Sequence, residues 1–344
     1  MKKIFFISLI FSLFFLTGCG KYTSKTILKD INKKLNSISG YHIEGNMEIY
    51  NGDDVYKYDV KSSFENDNYR VSLTNKSNNH EQIILRNSDG VYVLTPSLNK
   101  SFKFQSNWPE NSSQVYILKS LQNDINNDKK LKLEEKNGNY ILTAKLSSTN
   151  NKNLINEKIY FDKKLNITKV EVFDDANNKQ IKIVYNSFDN KASFNDKYFM
   201  VSENMKSSND TQLDEKSQSS KKDNNNEKTT NVLDESIYPM YLPSGTYLSD
   251  EESVSKEDGG RIILTFAGES PFILVEESVS KSDEMEIIPV YGDPTILSDT
   301  VGALSETSVN FISNGVEYYI ASDSLTSQEI LQVAQSISSI PVMK

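Results

Sequence analysis

QIILRNSDGVYVLTPSLNKSFKFQSNWPENSSQVY, residues 82–116, is the stretch from which the fold can be read. Residues 82–87 and 90–95 are short runs rich in aliphatic side chains, and the Asp89-Gly90 pair between them is a hairpin turn signal. A third run, 100–105, carries Phe102 and Phe104 two residues apart, so both rings share one face of a strand. Pro109 interrupts it, directly after Trp108, the sole tryptophan of the chain. Asn111 to Ser113 then offer a cap, and Val115, Leu118, Leu121 and Ile125 form an apolar stripe, which predicts an amphipathic helix over 113–125.

The same strand pattern extends in both directions. Upstream, Tyr41, Ile43, Met47 and Ile49 alternate with His42, Glu44, Asn46 and Glu48. Tyr56, Tyr58, Val60 and Phe64 repeat the alternation, as do Tyr69, Val71 and Leu73. Downstream, 139–146, 157–162, 166–173 and 179–187 read as strands, and Asn51-Gly52 and Asn137-Gly138-Asn139 read as turns. Ahead of all of these, Ile27, Leu28, Ile31, Leu35 and Ile38 fall on one helical face, with Ser24 as N-cap and Gly40 as the stop. The pattern is that of an antiparallel meander of roughly ten strands, which curls into a sandwich or barrel to hide its edges. The two helices are then expected across the open mouth of the curved sheet.

Between residues 203 and 236 the composition changes. Only Met205, Leu213, Val232 and Leu233 are large and apolar there, and no periodicity links them. Such a segment cannot bury enough surface to offset its ordering entropy, so it is expected to be a disordered linker. It divides a domain at 22–202 from another at 237–344. A flexible tether of this length reaches roughly 30–35 Å, which would let the two act without a fixed interface. The second domain is expected to be α+β, with strands at 245–254, 260–267, 271–279, 285–291, 308–313 and 316–322. Asn314-Gly315 between alternating apolar residues is the strongest hairpin signal in the chain. Thr326 to Glu329 form a capping box ahead of Ile330, Val333, Ala334 and Ile337 on one helix face.

The N-terminus places the protein. Lys2 and Lys3 precede an apolar run at residues 4–16, too short to cross a bilayer as a helix but suited to a signal peptide over 1–18. The run ends in Leu16-Thr17-Gly18-Cys19, similar to the lipobox of bacterial lipoproteins, and Cys19 is the only cysteine among 344 residues. Cleavage before Cys19 and addition of diacylglycerol to its thiol would anchor the chain firmly to a membrane. A single cysteine leaves no disulfide framework and no cysteine metal site. The formal charge is −9, and loss of Lys2 and Lys3 takes it to −11, a balance unsuited to nucleic acid. Lysine outnumbers arginine 35 to 3 and asparagine is abundant, the mark of an AT-rich genome of the low-GC Gram-positive kind.

Little here reads as catalytic. His42 and His80 are the whole histidine supply and fall on different segments. No GxSxG, HExxH or phosphate-loop pattern occurs. The acid pairs Glu134-Glu135 and Asp174-Asp175, like the clusters Asp250-Glu251-Glu252 and Glu276-Glu277, read as solvated surface. No catalytic residue, cofactor or metal is expected. The aromatic cluster Phe102, Phe104, Trp108 and Tyr116, with Leu118 and Leu121 on the helix, either packs a core or lines an apolar pocket, and periodicity does not separate the two.

Residues 82–116 also resemble the signature of Gram-positive lipoproteins of the YdcC type, and more distantly the clostridial germination lipoprotein GerS. That group lies within the superfamily of LolA, LolB, LppX and RseB. The resemblance spans both domains and is strongest over 41–120. It implies a mostly β, α+β protein built on an incomplete antiparallel β-barrel around helices, with a smaller C-terminal α+β domain. It further implies a non-enzymatic, lipid-anchored protein on the extracytoplasmic face of the cell, forespore or spore membrane. On this resemblance the half-barrel binds a hydrophobic ligand such as a lipid or lipoprotein acyl chain. Alternatively, it regulates an envelope or spore-cortex peptidoglycan enzyme such as an amidase, or acts as an RseB-like stress sensor.

Overall fold

A computed structural model describes residues 23–110, 113–147, 151–206, 233, 235–256 and 259–338. The signal peptide, with Leu16, Thr17, Gly18 and Cys19, lies outside the described residues, as do positions 207–232 and 234 of the expected linker.

Helix α1 (Ser24–Asn36) carries Ile27, Ile31 and Leu35 on one face. Its N-cap is Thr23, not Ser24: the Thr23 hydroxyl accepts from the Thr26 amide at 3.3 Å. It ends at Ser37, ahead of Gly40. This helix belongs to a first compact unit, and everything from Ile38 onward to a second.

The second unit holds two sheets. The strands of its first part are β1 (Gly40–Asn51), β2 (Asp54–Glu65), β3 (Asn68–Asn75), β4 (Glu81–Asn87), β5 (Gly90–Thr95), β6 (Lys100–Phe104), β7 (Lys132–Lys136), β8 (Asn139–Lys145), β9 (Leu154–Phe161), β10 (Ile167–Asp174) and β11 (Lys179–Asp189). Those of its second part are β12 (Thr246–Lys256), β13 (Gly259–Gly268), β14 (Phe272–Ser278), β15 (Glu286–Val290), β16 (Asp293–Ile296), β17 (Val301–Leu304), β18 (Ser308–Ser313) and β19 (Val316–Ala321). The first sheet has twelve strands in the order β15-β6-β5-β4-β3-β2-β1-β11-β10-β9-β8-β7. Its two ends, β15 and β7, are not neighbours, so the barrel is incomplete, as the family resemblance implies. β7 escapes the sequence reading because KLEEK offers a single apolar residue and its strand is an exposed edge.

Alternation gives the sheet an apolar concave face. One cross-strand row runs Phe102–Val93–Ile84–Val71–Ser62–Ile43, and a second Phe104–Val91–Arg86–Tyr69–Phe64–Tyr41. On the other wing Leu142, Ile159, Val170, Ile183 and Met47 are paired in register and buried. Helix α2 (Leu118–Asn127) buries Leu118, Leu121 and Ile125. It begins later than the stripe predicts: residues 113–117 form a non-helical lead, and Ile117 at the cap position offers no side-chain acceptor. The Ser120 hydroxyl instead accepts from the Gln114 amide at 2.6 Å, which ties the lead to the first turn.

The convex face is covered at β4 and β5, where Ile83, Leu85, Tyr92 and Leu94 pack with Phe199 and Met205. Met205 follows the short helix α3 (Val201–Asn204), and Asn204 accepts from Arg70 Nε at 2.5 Å. The expected linker start at 203 is therefore corrected: these residues are held by burial on the sheet. At its other end Leu233 packs partly buried against the second core.

The second sheet has the order β12-β13-β14-β19-β18-β17-β16. Helix α4 (Ser327–Ser338) supplies Ile330, Leu331, Val333, Ala334 and Ile337 to a core with Leu264, Phe266, Leu274, Phe311 and Ile320. The capping box forms as the sequence predicts: the Thr326 amide donates to Glu329 at 2.8 Å and the Glu329 amide to Thr326 Oγ1 at 3.3 Å. Asn314 and Gly315 turn with φ of 51° and 79°, the left-handed pair that such a hairpin needs.

The two parts are not independent, which corrects the expectation of a tether without a fixed interface. β15 from the second part pairs parallel with β6 of the first, Glu286 opposite Lys100 through Val290 opposite Phe104. Buried Gln82 accepts from the Val301 amide at 2.7 Å and from Thr300 Oγ1 at 3.0 Å. The Tyr58 hydroxyl donates to the Ser298 carbonyl at 2.9 Å, and Asn51 Nδ2 to Ser298 Oγ at 2.8 Å. Buried hydrogen bonds across such a junction hold its two sides together.

Candidate functional site

The concave face under α2 is where the six nominated pocket residues lie. Phe102 and Phe104 stand opposite Val93 and Val91. Trp108 packs edge-on against Tyr69, with ring centroids 6.0 Å apart, and Tyr69 continues to Phe64 at 4.7 Å. Arg86 holds this end, donating from Nη1 to the Trp108 carbonyl at 3.0 Å and to Glu110 at 2.7 Å. Leu118 and Leu121 are buried on α2. Trp108 and Leu121 are both 0 % exposed, and the other four are buried as well. Five of the six are thus buried away from solvent and line none of the cavities described, with the Trp108 indole Nε1 lacking a hydrogen-bond partner among the described residues.

Tyr116 is the exception in position. It borders a cavity of about 100 Å³ of mixed lining, with Ile49, Val115, Leu146, Val172 and Ile181 on one hand and Tyr50, Gln114, Asn151, Gln180 and Gln335 on the other. Its hydroxyl donates to Gln114 at 2.6 Å, and burial pushes the phenol upward. The Tyr185 hydroxyl donates to the Val115 carbonyl at 2.8 Å and so fixes the lead to α2. Pro294, Thr295 and Ile296 line the cavity from β16, so the second part of the chain contributes to the mouth of the first.

Beside this cavity sit two acids that the sequence reading does not single out. Glu157 on β9 is 0 % exposed and neither carboxyl oxygen has a partner among the described residues. Asp124 on α2 accepts from the Ser147 amide at 2.7 Å and from Ser113 Oγ at 2.8 Å, while its Oδ2 has no such partner. Burial first, then the Asp124 charge, pushes Glu157 well above the usual carboxylate range, and burial also raises Asp124. The signal was available in principle. Glu157 alternates in step with Ile159 and Phe161, and Asp124 lies three residues from Leu121, so each is a polar side chain on an apolar face.

The two histidines stay apart in role. His42 Nδ1 is 2.9 Å from Ser63 Oγ, and its Nε2 is 3.4 Å from Glu44. His80 is 3.3 Å from Ser97 Oγ, and burial lowers its pKa. Among the described residues no group of three histidine, cysteine or acidic side chains is placed to hold a metal ion. Among them, too, no helix is long and apolar enough to cross a membrane.

An open twelve-stranded sheet with a helix on its concave face defines a half-barrel protein. A family profile described as sporulation protein YdcC-like matches residues 1–199. Sporulation protein YdcC of Bacillus subtilis (strain 168) is 34% identical over 324 residues, covering 94% of this chain and 92% of that protein. The chain belongs to the YdcC-like family of sporulation proteins. Among solved structures, the MucA/MucB complex of Pseudomonas aeruginosa is similar at 11% identity and a TM-score of 0.31, over 89% of this chain and 98% of the other. A LolA superfamily protein from Nitrosomonas europaea is similar at 14% identity and a TM-score of 0.30, over 53% of this chain and 99% of the other. A chain of the CwlD amidase–GerS lipoprotein complex from Clostridioides difficile is similar at 15% identity and a TM-score of 0.22, over 50% and 99% respectively. Likenesses at such scores are descriptive only.

Proposed function

We propose that this chain is a lipid-anchored, non-enzymatic docking protein on the extracytoplasmic face of the membrane in a sporulating Gram-positive cell. Membership of the sporulation family and the lipobox at Leu16 to Cys19 support the setting. Residues 1–18 are the signal peptide in this reading, 22–202 the half-barrel, 237–344 the second domain, and Cys19 carries the lipid.

A single observation carries the docking role: the interior is occupied by Phe102, Phe104, Trp108, Leu118 and Leu121. The cavity beside it, about 100 Å³, is small against the ~300–1,000 Å³ of small-molecule pockets. A partner is then met at the surface, and an envelope peptidoglycan hydrolase such as an amidase is the class that the family resemblance implies. The carrier reading stays as the second, favoured by the apolar wall that Val115, Leu146, Val172 and Ile181 give this cavity.

Native mass spectrometry of residues 20–344 prepared without detergent tests the choice. The chain is kept whole because β15 completes the first sheet. A bare mass after incubation with phospholipid is expected. A one-to-one adduct of acyl-chain mass would move the assignment to lipid carrier.

A further inference from the structure

Where the second part of the chain meets the turns of the first sheet, a groove of about 1100 Å³ opens. It is lined by the turns at 51–54 and 75–78, by Met240 and Tyr241, and by the face of α4 that carries Gln332 and Gln335. Carboxamides dominate this lining, Asn78 and Asn314 among them. Asn51, Gln332 and Gln335 also border an adjoining cavity of about 300 Å³, where Asn153 and Gln180 continue the same chemistry. Several of these amides are oriented by one end. Asn51 Nδ2 donates to Ser298 Oγ at 2.8 Å, Asn78 Oδ1 accepts from the His80 amide at 2.9 Å, and Asn314 Nδ2 donates to Ser313 Oγ at 3.1 Å. Apolar surface stands open beside them: Met240 is 78 % exposed, Val55 44 % and Tyr241 39 %. Charge selects little here. Lys57 and Lys76 face Asp53, Asp54 and Asp299, and Lys76 is already paired with Asp59 at 2.8 Å, so no cation cluster awaits an anion. Nor is there an edge to extend, because β1, β2 and β3 are each paired on both sides and a peptide cannot add to them as a strand.

We propose that this groove binds a neutral oligosaccharide that carries acetamido groups. An acetamido group presents one N–H and one C=O, and a carboxamide meets them with its own C=O and NH₂. Ring hydroxyls donate and accept at once, so the same side chains suit them. Tyr241 and Met240 would cover the C–H faces of the sugar rings, since the face of an aromatic ring is negative and attracts such hydrogens. Amides already held by one hydrogen bond lose little freedom on binding, which favours recognition by side chains of this kind. The groove exceeds the ~300–1,000 Å³ of small-molecule pockets, in keeping with several sugar units rather than one. The site stands apart from the docking role and does not depend on it.

The test is calorimetric titration of residues 20–344 with N-acetylchitotetraose, up to about 10 mM, where an affinity near 1 mM saturates. Two comparators are run beside it: cellotetraose, which has a hydroxyl in place of each acetamido group, and an end-capped tetraalanine peptide. Saturable one-to-one binding of the acetylated sugar is expected, at least about tenfold tighter than cellotetraose. Tyr241→Ala, at a half-exposed ring, should weaken that binding about tenfold while the thermal transition is retained. Gln332→Ala reads the same loss from α4 and serves if the tyrosine variant does not fold. No saturation by the sugar, equal binding of cellotetraose, tighter binding of the peptide, or an affinity unchanged in both variants would overturn the site. A glycan strand and a free oligosaccharide both present this chemistry. Co-sedimentation with insoluble chitin points to the first, and binding of the tetramer alone to the second. Either result supports the sugar site.

Discussion

Glu157 on β9 and Glu171 on β10 lie on neighbouring strands of one sheet, both almost withdrawn from water, yet in opposite electrostatic circumstances. Glu171 points to the convex face, where Lys179 and Lys169 approach at 2.8 and 3.2 Å and the Tyr160 hydroxyl donates at 2.6 Å. Burial pushes this carboxyl up, but those three bonds outweigh it and hold the pKa at about 2. Glu157 points to the concave face, where burial and then Asp124 act in the same direction, upward. The difference is one of parity. Val172 follows Glu171 and is paired with Glu157, so a shift of one residue moves a carboxyl from a cage of cations to the buried concave face.

The comparison can be strained most at the filled interior. Trp108→Ala removes the largest fully buried side chain, and a loss of about 3–5 kcal/mol in urea unfolding is expected. A loss below ~1 kcal/mol would mean the concave face is looser than its packing implies. Next comes the junction with the second part. Gln82→Ala leaves the buried Val301 amide short of an acceptor, while the Thr300 hydroxyl keeps the Ile312 carbonyl at 2.7 Å; an expected cost of about 1–3 kcal/mol is read from the same unfolding curves.

The two glutamates themselves give opposite signs with pH. Glu157 is raised in the folded chain, so the stability tied to its neutral form is complete below the ordinary glutamate pKa. That stability is lost as pH rises towards the raised value. The thermal midpoint is therefore expected to fall as pH rises above the ordinary glutamate pKa, and Glu157→Gln should flatten part of that slope. Only part is expected to go, because Glu276, pushed by burial to about 7 despite the Ile237 amide, titrates in the same window. Glu171 is lowered, so its contribution is present above the ordinary value and disappears as pH falls towards about 2. Lys179→Ala is expected to cost at most ~1 kcal/mol at neutral pH, since the lysine is partly exposed. Acid unfolding of that variant should show a shallower loss below about pH 4.5.

How much of this was legible beforehand depends on the interaction. Alternation at Tyr41 to Ile49 and Tyr69 to Leu73 predicts strands because the period of two is local. Asn314-Gly315 and Thr326 to Glu329 predict their turn and cap because each motif closes within four residues. α2 begins at Leu118 rather than 113, because the lead at 113–117 is held by longer-range bonds such as that from the Gln114 amide to the Ser120 hydroxyl, which no local cap motif signals. β16 and β17 went unread because each is four residues long, too short for a periodicity. β15 was read as a strand, but nothing in EIIPV says that it joins β6 rather than its own sheet.

The amino-acid sequence alone determined the elements of the half-barrel, its apolar face, the hairpin and capping motifs of the second part, and the lipobox reading of the N-terminus. Those features depend on neighbours a few residues apart, where spacing dictates geometry. Tertiary structure alone decided that Phe102, Phe104 and Trp108 are buried while Tyr116 borders a small cavity, that the second part is joined to the first through Gln82, Tyr58 and β15, and that Asp124 comes close enough to Glu157 to raise its pKa. The register of strands, and the surfaces that registered strands present to one another, depend on contacts between residues far apart in the chain, and no local spacing encodes those.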